Sequence, residues 1–443
     1  MRSCVDLEVV SSRQYGIPDP CLDSTPIGDR KHRRWSFGPS NAQRPENLTK
    51  PAVILGRNKT ALGAMRCFAR REIPVMTATD SADLPAHSRY FHPAVSIDGR
   101  RLGLSWKDAD YDILAHMEGA VLIPCSDLSV AWLARLPEEL RARFPSSIPS
   151  TATLDTLLDK RNFAELCKRL DVPHPRYCLV ASEDDLSRAP LEELSDWFFK
   201  PSDSQRFMAR YGRKGLKFTG RVEAESLFRK FSGDAISVLL QEYVPGGADQ
   251  HYFIDGFRDR DGVVRALFAR RRLRIYPRDF GNSSYCHQVP VKDVEPAWRS
   301  LQLILEHLHY RGIFSAEFKF DAHRNEYRIL EVNTRVWLYV EFAAHCGIDV
   351  CFLSYLDALE QDVPDLVDNR PGAGCVDLYN DYRSIAESPP EHRPPLFQVL
   401  RQWFGARKLL FCWDDPKPAL VWLFRRMMSR LRRSGGAIEP EHN

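Results

Sequence analysis

Two acids and an asparagine that can share one face of a hairpin are the first place to look for chemistry. Ser315-Ala-Glu317-Phe-Lys319-Phe is followed by five linking residues, Asp321 to Asn325, and then by Glu326-Tyr-Arg-Ile-Leu-Glu331-Val-Asn333. Side chains alternate along a strand, so Glu331 and Asn333 share a face, and pairing Phe320 with Glu326 turns Glu317 to that face as well. Diagonal neighbours across a strand pair lie about 7–8 Å apart at the backbone, which suits carboxylates clasping a hard cation. The set offers only oxygen donors, which favours Mg²⁺ over zinc. A solvated charged face on an edge hairpin has the same pattern, so the neighbouring residues must decide.

Several of those neighbours are cationic. Lys200 closes the apolar run Trp197-Phe-Phe and precedes Pro201. An ammonium among aromatics calls for an anionic partner unless it snorkels to water. Tyr211-Gly-Arg-Lys-Gly-Leu-Lys217 reads as a basic, glycine-containing turn between two strands, suited to a polyphosphate or to a plain surface hairpin. In Phe268-Ala-Arg-Arg-Arg-Leu-Arg-Ile-Tyr-Pro277 the period of two puts Arg270, Arg272 and Arg274 on one face. Such a row is costly unless anions neutralise it, or else it blunts an exposed edge strand. Val238-Leu-Leu-Gln241-Glu242-Tyr243-Val244-Pro-Gly-Gly247 is an apolar strand running into an acid and a turn. Free backbone groups there can pair with an adenine edge, and an acid can accept ribose hydroxyls; an ordinary closing turn looks alike.

The elements that must position these residues begin at Ala52-Val-Ile-Leu-Gly56, followed by a helical pattern to Ala69 and a second apolar run from Ile73 to Ala78. Between strand and helix the chain lacks GxGxxG, which disfavours a nicotinamide site and leaves a plain α/β unit. A third strand, Ala120 to Pro124, runs into Cys125-Ser126-Asp127. One amphipathic helix is expected from Leu154 through Leu170, stopped at Pro173. Short strands at 196–199, 237–243, 251–257, 263–274, 314–320 and 326–333 then predict an antiparallel α+β half. After a Pro-rich stretch, Leu420, Phe424, Met427 and Leu431 recur at helical spacing among arginines, a pattern suited to an anionic membrane surface or to packing on the protein's own body.

Composition narrows the class. A chain of 443 residues suggests roughly three domains. With 62 basic and 59 acidic side chains the net charge is +3, which argues against a nucleic-acid binder. Hydrophobic residues at 44% exclude a wholly disordered chain. None of the 11 cysteines forms a CxxC, so neither a zinc knuckle nor a disulfide framework is expected. Asp6 and Glu8 near the N-terminus and the lack of a long apolar run lead us to expect an unprocessed, cytoplasmic chain. Residues 1–49, rich in proline and polar residues, are expected to be a mobile leader.

From Ala52 to Pro364 these motifs, in this order, resemble the ATP-grasp superfamily in its carboxylate-amine ligase-like branch, the group that includes D-aspartate ligase. The resemblance rests on Leu158-Asp-Lys160, Phe199-Lys200-Pro201, Gly212 to Lys217, Gln241-Glu242-Tyr243-Val244-Pro245, Arg272-Leu-Arg274-Ile-Tyr-Pro277, Glu317, Glu331-Val-Asn333, Arg335 and Trp337. Thr334 stands where the family commonly carries proline, which affects turn stiffness and not the ligands. The resemblance implies α/β plus α+β architecture: a Rossmann-like pre-ATP-grasp unit at 50–150, an ATP-grasp domain at 151–364 and an extension at 365–443. It implies ATP and Mg²⁺ or Mn²⁺ as cofactors. Lys160, Lys200 and Lys217 would hold phosphates, with Gln241, Glu242, Tyr243, Val244 and Asp249 on the adenosine. Glu317, Glu331 and Asn333 would be metal ligands, while Arg272, Arg274 and Arg335 would steady the phosphoryl group and the acyl phosphate. The implied reaction phosphorylates a small-molecule carboxylate and passes the acyl group to an amine; the alternative is a non-catalytic ATP-binding scaffold on the same fold. The oligomeric state is not encoded in these motifs.

Overall fold

The computed structural model describes residues 50–79, 82–93, 119–189, 197–202, 204–278, 280–367, 370 and 372–434. The expected leader at 1–49 and the Asp196 end of one predicted strand lie outside the described residues.

Three short apolar runs build the first layer. β1 (Ala52–Leu55) leads into α1 (Asn58–Arg70), followed by β2 (Val75–Ala78) and β3 (Val121–Pro124). They form a parallel sheet in the order β2-β1-β3, with Ala52 opposite both Val75 and Val121. Unbroken apolar strands fit a sheet covered on both faces. Ile54 packs with Met65 and Phe68 on one side, Val53 and Leu55 with Trp132 and Phe144 on the other. A β carbon on Gly56 would lie 2.5 Å from that of Cys125, so this glycine lets the carboxyl ends of β1 and β3 close together. Ser126 then caps α2 (Asp127–Ala134), which is followed by α3 (Glu138–Arg143).

The single helix expected from Leu154 to Leu170 is in fact two, α4 (Thr151–Leu158) and α5 (Lys160–Arg169). Asp159 is extended, and its carboxylate accepts from the amides of Arg161 and Asn162, both at 2.9 Å. Such a cap competes with continued helix, and apolar periodicity does not report it. Lys160 is thereby placed in the first turn of α5.

Next come β4 (Tyr177–Leu179), α6 (Glu183–Arg188), β5 (Trp197–Pro201), α7 (Ser204–Tyr211), β6 (Leu216–Lys217), α8 (Arg221–Gly233) and β7 (Val238–Glu242). The strands form an antiparallel sheet in the order β4-β7-β5-β6, packed through Phe199, Phe207, Phe228 and Phe231. The basic glycine stretch therefore joins a helix to a short strand and does not link two strands. Tyr211, which closes α7, rests on Phe207 and Phe231 in this core.

The largest sheet uses β8 (His251–Arg258), β9 (Val264–Tyr276) and β10 (Asn282–Val289), then, after α9 (Glu295–His307), β11 (Gly312–Asp321) and β12 (Glu326–Asn333). Beyond α10 (Val340–His345) and α11 (Val350–Ala358) the chain adds β13 (Gly374–Val376), α12 (Leu378–Ala386), α13 (Leu396–Gly405), β14 (Arg407–Lys408) and α14 (Lys417–Ser434). The strand order is β12-β11-β8-β9-β10-β13-β14. The architecture is thus α/β followed by α+β. Sequence reasoning missed β10, because Asn-Ser-Ser-Tyr-Cys-His-Gln-Val carries no apolar alternation.

The hairpin register also differs from expectation. Phe320 pairs with Tyr327, not Glu326, and Asp321 with Glu326. A bulge at Leu330 then shifts the register so that Glu317 lies directly opposite Glu331. On β9 each arginine of the row has its own acid. Arg270 Nε donates to Asp255 at 2.8 Å and Arg272 Nη2 to Glu317 at 3.2 Å. Arg274 donates to both oxygens of Asp381 at 2.8 and 2.7 Å. Asp381, on α12, also accepts from Ser284 Oγ and Trp403 Nε1. Asp381→Ala should therefore leave Arg274 unpaired and cost about 3–5 kcal/mol in denaturant unfolding. A loss below about 1 kcal/mol would show that this cluster does not pin α12 to the sheet.

Candidate functional site

The bulge sets two carboxylates side by side on adjacent strands, and the residues around them arrive from α2, α5, β5, β8 and β9. Asn333 Nδ2 donates to Glu331 Oε1 and to the Ser315 carbonyl, each at 3.3 Å. Arg335 Nη2 donates to Asn333 Oδ1 at 3.1 Å, while its Nε donates to Asp127 Oδ1 at 2.8 Å. The residue just beyond β3 is thereby tied to the hairpin. Glu317 Oε1 accepts from His251 Nδ1 at 2.8 Å as well as from Arg272. Burial alone would raise the Glu317 carboxyl, but Arg272 and His251 outweigh it and hold it below the usual range. Burial also lowers His251, so the imidazole is neutral at pH 7 and donates its Nδ1 proton.

Two lysines face this pair. Lys200, on β5, is lowered by burial and supported by Glu331 and Glu317. Lys160, on α5, is pushed down to about 8 by burial and by the nearby Lys200. Its Nζ donates to the Ser202 carbonyl at 3.0 Å. Lys319 and Lys217 both lie over the Tyr243 ring, at 4.2 and 3.5 Å. Lys214 donates to Asn282 Oδ1 at 3.0 Å.

Two cavities meet here, of about 120 and 170 Å³, sharing Lys200, Gln241, Leu330 and Glu331. Leu157, Phe163, Leu239 and Ile329 give the first an apolar wall; Tyr243, Val244 and Phe280 line the second. Lys160, Lys200, Lys214, Lys319 and Arg272 supply positive charge against Glu317, Glu331, Asp127 and Glu242. The last two acids are already engaged, Asp127 by Arg335 and Glu242 by Arg328 at 2.6 Å. The surplus is cationic, so the joined cavity is suited to an anion with an apolar body. Glu317, Glu331 and Asn333 offer oxygens alone, a donor set that fits a hard divalent cation.

Most residues singled out from sequence converge on this cavity. Lys217 and Arg335 touch its lining, through Tyr243 and Asn333, without lining it themselves, and Arg274 and Asp249 do not reach it. Arg274 is taken up by Asp381, and Asp249 accepts from Arg271 Nη2 at 3.2 Å. Both line a separate cavity of about 690 Å³, which shares Tyr243 and His251 with the smaller ones. Glu242 turns its Oε2 to Arg328 and to the Arg176 amide at 2.9 Å. Sequence reasoning included Lys214 within the basic glycine stretch but missed His251 and the site role of Lys319. Lys319 was within reach, because it stands two residues after Glu317 on the same strand face. His251 meets Glu317 from another strand, and no local spacing marks that contact.

This geometry belongs to an ATP-grasp fold. An L-amino acid ligase from Bacillus licheniformis superposes with a TM-score of 0.56 at 14% identity, over 74% of this chain and 78% of that one. A carboxyaminoimidazole ribonucleotide synthase from Aspergillus clavatus complexed with ATP gives 0.55 at 12%, over 72% and 78%. The biotin carboxylase domain of 2-oxoglutarate carboxylase from Hydrogenobacter thermophilus, which holds MgADP and bicarbonate, gives 0.55 at 16%, over 70% of each chain. In sequence the chain is similar to D-aspartate ligase of Enterococcus faecium (strain Aus0004), 24% identical over 230 residues. That alignment covers 48% of this chain and about half (53%) of the relative's length. No family model matches.

An anion between Lys160 and Lys200 favours the protonated form of both. Because Lys160 titrates near 8, tripolyphosphate binding should weaken as pH rises through about 8, with proton uptake on binding above it. Calorimetry in buffers of different ionisation enthalpy measures that uptake. Lys160→Gln should remove the part of that uptake that begins near pH 8, and unchanged uptake in the variant would assign the titration to another group.

Proposed function

We propose that this chain is a carboxylate-amine ligase that uses ATP and a divalent cation, Mg²⁺ or Mn²⁺. The observation that carries this reading is the facing pair Glu317 and Glu331, with Asn333 beside it, opposite Lys160 and Lys200 in a cation-rich cavity. The ATP-grasp fold and the partial similarity to D-aspartate ligase support it.

In this reading residues 50–150 form the pre-ATP-grasp unit, 151–364 clasp the nucleotide and 365–443 extend the large sheet. Lys160 and Lys200 hold the α- and β-phosphates, with Lys217 at the edge of the site. Gln241, Tyr243 and the backbone from Glu242 to Val244 frame the adenosine. Glu317, Glu331 and Asn333 hold the cation, which when bound neutralises charge on the phosphate oxygens. A substrate carboxylate oxygen attacks the γ-phosphorus, the bond to the bridging oxygen breaks, and ADP leaves. The amine nitrogen then attacks the acyl carbon, the carbon–oxygen bond to phosphate breaks, and the nitrogen loses a proton, giving an amide and phosphate. No side chain becomes covalently attached. Arg272 and Arg335 contribute by position and charge, which is how phosphoryl transfer is mainly catalysed.

ADP should appear when a carboxylate and an amine are both supplied; AMP and pyrophosphate in its place would indicate adenylation. Glu331→Gln keeps size but removes one negative charge, so turnover should fall by orders of magnitude while stability stays within about 0.5 kcal/mol. Near-normal ADP release by this variant across a Mg²⁺ titration would refute the metal assignment. Nucleotide binding without ADP formation for every acid and amine pair would favour the scaffold reading.

A further inference from the structure

The C-terminal helix turns the wrong way for a helix that packs on its own protein. On one side of α14 Pro418 is buried, Trp422 meets Tyr379 edge-on at 5.3 Å between ring centres, and Arg425 donates to the Ala82 carbonyl at 2.7 Å. Its apolar stripe faces outward: Leu420, Leu423, Phe424, Met427 and Met428 are all exposed, Phe424 at 62%. Their spacing of three and four residues is the one an amphipathic helix normally turns toward a core. The same segment exposes Leu396, Phe397, Leu400 and Phe404 from α13, and Trp413 at 85%. So much uncovered apolar surface marks an interaction site.

Charge says what covers it. Residues 396–434 hold nine basic side chains, Arg401, Arg407, Lys408, Lys417, Arg425, Arg426, Arg430, Arg432 and Arg433, of which Arg407 is paired with Glu341, against two acids, Asp414 and Asp415. Both acids are occupied, Asp414 by Arg70 and Tyr90 and Asp415 by Arg66. A second copy seated on this face by a two-fold axis would set arginine-rich helices together with no acid to neutralise them. A nucleic acid would neutralise the arginines but leave the leucine and methionine stripe uncovered. An anionic bilayer answers both needs, with acyl chains for the stripe and phosphate headgroups for the arginines. Among the described residues no helix is long and apolar enough to cross a membrane, so the contact is one of lying on the surface.

We propose that α14 docks this protein peripherally on an anionic lipid surface. The contact does not depend on the ligase reading and is tested without nucleotide. The full chain is floated with vesicles of phosphatidylcholine containing a minority of phosphatidylglycerol, and with phosphatidylcholine alone. Roughly tenfold more protein should float with the anionic vesicles, and high salt should remove most of the difference. Leu423→Gln, Phe424→Gln and Met427→Gln combined should abolish flotation while leaving thermal unfolding unchanged, because all three side chains are exposed. Equal flotation with both lipids, or no effect of the triple variant, would overturn the proposal. A dimer in sedimentation equilibrium that the triple variant dissolves, with no vesicle binding, would make the surface a self-interface instead.

Discussion

Arg270, Arg272 and Arg274 on β9 cannot all be drawn out of water unless each meets a carboxylate, and much of this structure follows from how they do. Desolvating a guanidinium costs several kcal/mol, and only a close acid with good geometry offsets it. Asp255 on β8 serves Arg270, Glu317 on β11 serves Arg272, and Asp381 on α12 serves Arg274. The first pair lies inside the sheet, the second at the candidate site, the third at the contact with the C-terminal segment. One strand thus fixes core, site and extension in a common frame. Glu317 stays ionised although burial opposes it, because Arg272 and His251 are already in place.

The site as a whole is poised for a polyanion. Lys200 lies close enough to lower Lys160, while Glu331 and Glu317 support Lys200 against its own burial, a balance that a bound anion would complete. Charge arranged in advance needs no reorganisation when phosphate arrives, which is the basis of electrostatic catalysis in phosphoryl transfer. The aromatic face of Tyr243 holds Lys217 and Lys319 in place meanwhile, so that the cationic rim is ordered by packing as well as by salt bridges.

What the sequence made legible follows from the range of each interaction. Period-two alternation was enough to put Glu317, Glu331 and Asn333 together, although the register was displaced by one residue. The bulge at Leu330 brings the two acids directly opposite, and a bulge leaves no mark in alternation. The split at Asp159 was hidden for a related reason: apolar spacing runs on through a capping residue. Arg274 was read into one row with Arg272, but register shifts against β10 set Arg274 opposite Tyr285 and Arg272 opposite Cys286, and Arg274 is taken up by Asp381, 107 residues further on. The contact of His251 on β8 with Glu317 on the neighbouring β11, 66 residues apart in sequence, is of the same long-range kind.

The first sheet meets the site through Asp127 and through the Pro124 carbonyl, which accepts from the Val336 amide at 3.2 Å, and the position of these contacts explains why a small α/β unit precedes the larger sheets. Parallel strands place loops and helix starts at their carboxyl ends, where ligands of such sheets gather. Here Gly56 lets β1 and β3 close at that end, Ser126 starts α2, and Asp127 points its carboxylate at Arg335. Arg335 in turn holds the amide oxygen of Asn333, the atom a hard cation would take. An ion at the hairpin would therefore compete with Arg335 for that oxygen. Its binding and the seating of the first sheet would then be linked through the Arg335 guanidinium, so that a unit outside the hairpin would bear on how tightly Glu317 and Glu331 hold the ion.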